Sequence, residues 1–189
     1  MSEEPRLAEQ SKVVRFEEIA LPHLSAAYNL ARWLLHNEHD AEDLVQEAFM
    51  RAFKSFSGYY GGNSRAWVLT IVRNTCYTWL QKNRVLDLAE PIEDKLDELE
   101  LDLADPETLL LQNRDTQMVR QALQDLPVEF REVMVLREME GFSYKEIANV
   151  VDVPLGTVMS RLARGRKRLQ TLLANRMGKE ASIELSTNA

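Results

Sequence analysis

Three arginines near the carboxyl end of the chain are spaced to share one face of an α-helix. Arg161, Arg164 and Arg168 recur at intervals of three and four residues, so their guanidinium groups project from the same side. Guanidinium groups bind DNA phosphates and guanine edges through paired N–H donors. The same outward surface also carries Thr157, Met159, Ser160 and Lys167. The pattern favours contact with duplex DNA, and the alternative is a solvated basic helix on a small bundle.

The residues around these arginines predict a helix-turn-helix. Ser143 and Glu146 have the spacing of a capping box that begins one helix, and Gly141 suits the left-handed end of the helix before it. The chain then turns at Asp152, and a second helix begins at Pro154, whose fixed φ suits a first helical position. The inward side of this second helix carries Val158, Leu162, Gly165, Leu169 and Leu172. Two helices joined by such a short turn are typical of DNA-binding proteins.

A second candidate site combines aromatic and basic residues in the first half of the chain. Residues 57–63 are a glycine-rich loop, and a helix is predicted from Ser64. That helix interleaves aromatic residues with cations and amides, namely Trp67, Tyr77, Trp79, Arg65, Arg73, Asn74, Lys82 and Arg84. Unpaired bases stack on aromatic side chains while cations hold the nucleic-acid backbone. The alternative is that the aromatic residues belong to the hydrophobic core.

An acidic strip lies on the helix predicted from Asp40, which is expected to cap it. We define this strip as Asp43, Gln46 and Glu47, opposite the apolar side of the sequence DAEDLVQEAFMRAFKSF. By itself such a strip is an ordinary solvated helix face. His36 and His39 precede this helix without a third ligand nearby, so no metal site is predicted.

Composition and charge indicate two small helical domains. No apolar run is long enough to cross a membrane, the first ten residues are acidic, and the one cysteine, Cys76, cannot form an internal disulfide. Residues 87–107 hold ten carboxylates and one lysine, a local charge of −9 in a chain of net charge −7. The predicted fold is therefore all-α, with a helical domain over residues 1–86, a flexible acidic linker over 87–112, a second helical domain over 113–178 and a tail over 179–189.

Three sequence motifs resemble those of the extracytoplasmic-function sigma factors, a group of the sigma-70 family of bacterial RNA polymerase. They are DAEDLVQEAF, then WVLTIVRNT, and after the acidic segment LPVEFREVMVLREMEGFSYKEIANVVDVPLGTVMSRLARGRKRL. The resemblance covers about Phe16 to Leu173. It implies a region 2 that binds the clamp helices of the polymerase β′ subunit and opens the minus-10 element. It also implies a region 4 that binds the β flap and the minus-35 element.

The resemblance also implies roles for individual residues. The acidic strip, Asp43, Gln46 and Glu47, would bind polymerase. The residues implied at the minus-10 element are Tyr59, Tyr60, Asn63, Arg73, Asn74 and Tyr77, with the loop trapping a flipped base. The residues implied at the minus-35 element are Thr157, Met159, Ser160, Arg161, Arg164 and Arg168. Met159 replaces a residue that is frequently basic in the family, and it can offer only apolar or sulfur contacts, such as with a thymine methyl.

The expected function is that of an alternative sigma factor, with core RNA polymerase and promoter DNA as partners. Such factors are commonly restrained by an anti-sigma factor, often membrane-tethered, and the chain itself is expected to be cytoplasmic. No catalytic residues, cofactor or small-molecule substrate are predicted. Two alternatives stay open on the sequence: a stand-alone dimeric helix-turn-helix regulator, and an interaction protein whose N-terminal helices bind another protein.

Overall fold

The computed structural model describes residues 4–87 and 116–187, with side chains over 10–83 and 116–178, and every regular element in these ranges is helical. The N-terminal half (residues 4–87) consists of α1 (Glu4–Ala20), a 3-10 turn (Leu21–His23), α2 (Leu24–Leu35), α3 (Glu38–Ser55), a second 3-10 turn (Phe56–Gly58) and α4 (Ser64–Asp87). The C-terminal half (residues 116–187) consists of α5 (116–124), α6 (Val128–Met134) with a π-helical turn (Val135–Met139), α7 (Tyr144–Val151) and α8 (Leu155–Thr187). The all-α prediction is confirmed. The predicted acidic linker lies outside the described residues, apart from Asp87 at the end of α4.

The core of the N-terminal half forms where α2, α3 and α4 pack together. Leu30, Leu34 and Leu69 are fully buried there, and each such side chain contributes about 1.5–3 kcal/mol through removal from water. Phe16 joins α1 to this core, because its ring meets the edges of Phe53 and Phe56 at centroid distances of 5.2 and 5.4 Å. This bundle fixes the directions of α3 and α4, which carry the acidic strip and the aromatic and basic residues.

The core of the C-terminal half lies between α6, α7 and α8. Ile147, Val158 and Leu162 are buried at the crossing of the two helix-turn-helix elements. Gly165 lets α8 approach α6 closely, since an added Cβ would lie 3.3 Å from Cγ of Met134 and 3.4 Å from Cβ of Phe130. The glycine predicted on the inward side of α8 is therefore a contact point between two helices.

Two helix boundaries differ from the sequence prediction. The expectation that Asp40 caps α3 is wrong: Asn37 is the cap, and its Oδ1 accepts a hydrogen bond of 3.0 Å from the backbone N of Asp40. His36, at φ 60°, ends α2 in the left-handed conformation just before this cap. At the other end of the chain α8 continues to Thr187, so the predicted boundary between domain and tail falls inside a helix.

The two halves pack against each other, with α4 against α7 and α2 against α6. Polar contacts cross between them. Nδ2 of Asn29 donates to a carboxylate oxygen of Glu140 at 2.6 Å, and Arg65 donates to the Glu140 carbonyl at 2.7 Å and also pairs with its carboxylate. The candidate sites on α4 and on α8 are therefore parts of one closed arrangement.

Candidate nucleic-acid interface

The helix-turn-helix forms as its local sequence predicts. The Ser143 hydroxyl accepts from the backbone N of Glu146 at 3.3 Å, and the Glu146 carboxylate accepts from the backbone N of Ser143 at 2.8 Å. These hydrogen bonds lower the pKa of Glu146. Asp152, at φ 53°, ends α7 in the left-handed conformation, and Gly141, at φ 68°, makes the turn before it. The capping box and both turns confirm the prediction.

The outward side of α8 presents only part of the predicted set to solvent. Met159 is 52% exposed, and Arg164 and Arg168 are exposed as well. Thr157 and Ser160 are half-buried, and the Ser160 hydroxyl donates to the Thr157 carbonyl at 3.0 Å. A helix that exposes one thioether and two guanidinium groups can contact a DNA groove.

Arg161 points away from that exposed surface toward α6. Its Nη1 donates to a carboxylate oxygen of Glu132 at 3.2 Å, and its side chain is 24% exposed. Residues 161 and 164 are both on the side of the helix that sequence spacing marks as outward. The structure separates them, because only Arg161 can reach the buried acid.

The predicted residues on α4 also include both exposed side chains and side chains held by Glu132. Asn74 is exposed. Arg73 donates to the two oxygens of Glu132 at 2.8 and 3.3 Å, and the Tyr77 hydroxyl donates to the same carboxylate at 2.9 Å. The Arg73 guanidinium also lies over the Tyr77 ring, 4.3 Å from its centroid, as a cation–π contact.

The loop before α4 has one fixed tyrosine and one free tyrosine. Tyr59 packs on Trp67 at a centroid distance of 4.7 Å, and its hydroxyl donates to the Gly62 carbonyl at 3.0 Å. Tyr60 is 95% exposed. Gly61 and Gly62 adopt φ of 98° and 102°, a region that favours glycine, so they allow the sharp bend that leaves the Tyr60 ring in solvent.

Asn63 begins α4 and also reaches the C-terminal half. Its Oδ1 accepts from the backbone N of Ala66 at 2.9 Å, as a helix cap does, and its Nδ2 donates to Glu146 at 2.7 Å. The alternative that Trp67 belongs mostly to the hydrophobic core agrees with its half-buried position against Phe56 and Tyr59.

An open cleft of about 510 Å³ lies between α1 and this loop, lined by Ser11, Lys12, Arg15, Phe56, Ser57, Tyr59 and Tyr60. Lys12 and Arg15 were missed by sequence reasoning, although their spacing of three residues places them on one helix face. Their cations lie over the rings of Phe53 and Phe56 at 4.7 and 5.9 Å. The cleft therefore combines cations with an exposed aromatic ring, which is the chemistry that holds an unpaired nucleotide.

The acidic strip is accessible on α3. The side chains of Asp43 and Glu47 are 64% and 47% exposed, and Gln46 is also exposed. Their ion pairs are with residues one turn away on the same helix, His39 for Asp43 and Arg51 for Glu47. Exposed pairs of this kind contribute little to stability, so the strip is free to exchange them for a partner.

Glu132 is a buried acid that joins the two sets of candidate residues. Its side chain has no exposed surface, and it accepts from Arg73, Tyr77 and Arg161. Burial by itself would lower the pKa of Arg73, but the hydrogen bond and charge of Glu132 raise it above the ordinary value. Burial, together with the Glu132 charge, also raises the pKa of Tyr77. Sequence reasoning missed Glu132, although an acid four residues from both Val128 and Leu136 lies on an apolar face and requires a partner.

A second unpredicted contact joins Arg131 to His36. Arg131 is buried, its Nη1 meets the His36 ring and donates to the Gln124 carbonyl at 2.8 Å, and its Nε has no partner. Burial, with the Arg131 charge, lowers the pKa of His36 to about 4. His36 is therefore neutral at pH 7, which allows it to lie against a guanidinium group.

Neither a metal site nor a membrane span is found in the part of the chain that the structure describes. No three His, Cys, Asp or Glu side chains converge there, and none of the described helices combines the length and apolarity needed to cross a bilayer. Cys76 is fully buried, and burial raises the pKa of its thiol to about 12.

Comparison with known families matches both halves of the chain. Residues 20–85 match the family described as Sigma-70 region 2, and residues 116–169 match the family described as Sigma-70, region 4. The first match runs from the end of α1 through most of α4. The second match begins with α5 and ends at residue 169, inside α8.

Curated relatives match over both halves together. An ECF RNA polymerase sigma factor, SigE of Mycolicibacterium smegmatis, is 34% identical over 173 residues, which are 92% of this chain and 67% of the relative. The RNA polymerase sigma-H factor of Pseudomonas aeruginosa is 32% identical over 169 residues, with 84% and 88% coverage. The ECF RNA polymerase sigma-E factor of Escherichia coli is 32% identical over 141 residues, with 69% and 72% coverage.

Solved structures match the fold. The sigma factor RpoE of Bartonella quintana, solved with the anti-sigma factor NepR, has a TM-score of 0.70 at 30% identity, over 85% of this chain and 97% of that one. CnrH, solved with the cytosolic domain of CnrY, has a TM-score of 0.61 at 24% identity, over 89% and 96% of the two chains.

Proposed function

The chain belongs to the extracytoplasmic-function sigma factors of the sigma-70 family, and we propose that it binds core RNA polymerase, directs it to specific promoters and assists promoter melting. The observation that supports the proposal is the presence on one chain of two exposed surfaces whose side chains suit nucleic acid in different states. The aromatic loop and α4 suit unpaired bases, whereas the helix-turn-helix suits duplex DNA. A stand-alone dimeric regulator needs only the second surface, and this chain matches both family regions.

The acidic strip is proposed as a polymerase-binding surface. Asp43, Gln46 and Glu47 are exposed on a helix whose other side is buried in the core. Their negative charge complements a basic partner surface, and charge complementarity accelerates association and fixes register. In the family this position binds the clamp helices of the β′ subunit, and the same partner is proposed here.

The loop, the cleft and α4 are proposed to capture an unpaired base of the minus-10 element. Tyr60 offers an exposed ring for stacking, and stacking of one base on an aromatic side chain contributes about 1–3 kcal/mol. Lys12 and Arg15 lie on the other side of the cleft and are proposed to bind the adjacent phosphates. Asn74 is exposed further along α4 and is proposed to contact a base edge.

The outward side of α8 is proposed to bind the minus-35 element as duplex. Arg164, Arg168 and Met159 are all exposed on α8. The two guanidinium groups can contact guanine edges or phosphates, and a thioether can pack on a thymine methyl. Region 4 is also proposed to bind the β flap of polymerase.

An anti-sigma factor is proposed as the further partner. The RpoE structure was solved with the anti-sigma factor NepR, and the RpoE chain shares this fold. Any tether to a membrane would belong to the anti-sigma factor. The location proposed for this chain is the cytoplasm, where polymerase and promoter DNA lie.

The test is transcription by core RNA polymerase on a library of promoter fragments, with and without the purified full chain. The expected result is initiation at a defined subset of fragments that depends on the chain, together with near-stoichiometric co-purification with core polymerase in the absence of DNA. A protein that shifts a palindromic duplex alone and neither binds core polymerase nor supports initiation would contradict the proposal.

A further inference from the structure

Three exposed apolar side chains lie in one line along the first part of α8. Leu155, Met159 and Ala163 follow one another at intervals of four residues, and side chains at this spacing are neighbours on a helix surface. Leu155 is 40% and Met159 52% exposed, and Ala163 is exposed as well. We name these three residues the apolar strip. Val158 and Leu162, which lie between them in sequence, are buried, so the strip is separate from the side of α8 that packs in the core.

The apolar strip has the length of a few base pairs. A single exposed apolar residue is ordinary, but an exposed row of them stays in contact with water and contributes little to the stability of the fold. The distance along the helix axis from Leu155 to Ala163 is roughly 12 Å, at a rise of about 1.5 Å per residue. That distance corresponds to about three to four base-pair steps of about 3.4 Å. The strip can therefore contact adjacent base pairs.

The charge of α8 favours DNA as the partner of the strip. Residues 155–178 contain no aspartate or glutamate and six arginines and lysines. Lys167 continues the line of the strip one turn beyond Ala163 and is exposed, as are Arg164 and Arg168. Positive side chains along a helix attract the phosphates of a duplex. A partner without phosphates or other anions would leave this positive charge uncompensated.

The chemistry of the strip decides which base edge it can contact. The recognition helix of a helix-turn-helix places its N-terminal residues against base edges in the major groove, and the strip begins at the first residue of α8. Its side chains have no N–H or O–H donor, so covering a polar base edge would remove water from that edge without replacing the hydrogen bonds. Thymine is the base that presents a methyl group in the major groove. Contact with thymine methyls is therefore the contact that the strip can make without this cost.

We propose that the apolar strip determines sequence specificity, and that Leu155, Met159 and Ala163 together recognise a run of thymine methyl groups in the minus-35 duplex. This rests on the proposed function for the presence of a duplex against α8. It adds Leu155 and Ala163 to the residues that contact bases, and it identifies the chemical group of the DNA that they contact. Phosphate contacts position a duplex but carry no sequence information, so the strip supplies discrimination that phosphate contacts alone do not.

The experiment removes only the methyl groups from the DNA. A labelled duplex with the minus-35 element of a promoter that the chain and core polymerase transcribe is made with thymine, and again with deoxyuridine in that element. The replacement keeps every hydrogen-bonding group of the base. Affinity is measured by fluorescence anisotropy at fixed salt, for the full-length chain alone and for its complex with core polymerase. The wild-type chain should bind the deoxyuridine duplex about fourfold more weakly for each methyl contacted, the loss expected for about one buried CH₂ group.

Leu155→Gln and Met159→Gln test whether the strip causes this preference. Both positions are exposed and glutamine favours a helix, so the variants should fold as the wild-type chain does by circular dichroism. The ratio of the affinities for the thymine and deoxyuridine duplexes should fall by about fourfold in each variant, and Met159→Leu should keep the wild-type ratio. Met177→Gln is the matched control, because Met177 is a 61% exposed thioether further along the same helix. Its ratio should equal that of the wild-type chain.

Equal binding of the wild-type chain to the two duplexes would overturn the proposal, and this comparison changes only the DNA, so it decides even where a variant fails to fold. A ratio in Met159→Gln equal to that in Met177→Gln would overturn it too. Strip variants that lose affinity for core polymerase and keep the thymine preference would assign the strip to a protein partner instead. If the wild-type chain initiates transcription without a methyl preference, only the role of the strip is refuted. If it neither binds core polymerase nor supports initiation, the proposed function fails.

Discussion

Arg161 and Arg164 should contribute unequally to duplex binding by the free full-length chain, although they lie one turn apart on α8. Arg164 is exposed, whereas Arg161 donates to the buried Glu132 at 3.2 Å. Arg164→Ala should weaken binding to a minus-35 duplex by about 1–3 kcal/mol, the value of one good base contact, which is roughly five- to 150-fold in affinity. Arg161→Ala should change affinity by less than about twofold, because its guanidinium is already engaged.

The inequality should disappear when the charge of Glu132 is removed. In a Glu132→Gln background Arg161 is released, so Arg161→Ala should then cost as much as Arg164→Ala. The double-mutant cycle between positions 132 and 161 should give a coupling free energy of about 1 kcal/mol or more. Arg164→Ala should lose the same affinity in both backgrounds, because no described ion pair links it to Glu132.

The assay is fluorescence anisotropy with a labelled duplex from a promoter that the holoenzyme transcribes, titrated at several salt concentrations. Each lost phosphate contact should lower the slope of log K against log salt by about one. Arg166→Ala is the control, since Arg166 is held by Glu138 at 2.7 Å. Equal losses for Arg161→Ala and Arg164→Ala in the wild-type chain, with no coupling to Glu132, would refute the reasoning.

Three other predictions follow from particular residues. Asn74→Ala should slow promoter opening more than it weakens initial promoter binding, since a base must be unpaired before α4 can hold it. Opening is measured as permanganate reactivity of unpaired thymines, and initial binding is measured by filter retention. Equal losses in the two assays would contradict this prediction. Glu47→Lys should weaken binding to core polymerase with no change in the circular dichroism spectrum, because its only described ion pair, with Arg51, is exposed; unchanged binding would exclude the strip. Thermal stability should fall as pH drops from about 6.5 toward 4, because His36 is protonated in the unfolded chain over this range while burial and Arg131 keep its pKa in the folded chain at about 4. His36→Gln should flatten this part of the profile of stability against pH. An unchanged profile would show that His36 does not cause the fall.

The local features of the fold could be predicted because they depend on residues close in sequence. The capping box needs only Ser143 and Glu146 three residues apart, and the left-handed turns need Gly141 and Asp152 at helix ends. Where two local solutions compete, the sequence is ambiguous. Asn37 and Asp40 are equally good caps by propensity, and the structure uses Asn37 because His36 already ends α2 in the left-handed conformation.

The candidate residues could be predicted as types but not as exposed or sequestered groups. Helical spacing places Arg161 and Arg164 on the same outward side, yet only the packing of α6 against α8 shows which one finds an acid. Glu132 is 59 residues from Arg73 and 29 from Arg161, and no local rule joins residues at such separations. The signal that was available is the acid on an apolar helix face, which indicates a buried pair without naming the partner.

The energetics of a buried ion pair suit a contact that can open. Removing Glu132 and two arginines from water costs several kcal/mol for each ion, and their mutual attraction roughly offsets that cost. When the halves separate, Arg73 regains hydration, whereas Arg161 lies in the same half as Glu132 and can keep its ion pair. The contact between Arg73 and Glu132 therefore favours the closed arrangement by less than the sum of its hydrogen bonds. A partner that binds at nanomolar affinity contributes about 12 kcal/mol, which exceeds that difference if it engages only the open arrangement. An apolar contact of the same area would be harder to open, because exposing apolar surface to water costs free energy that no new hydration offsets.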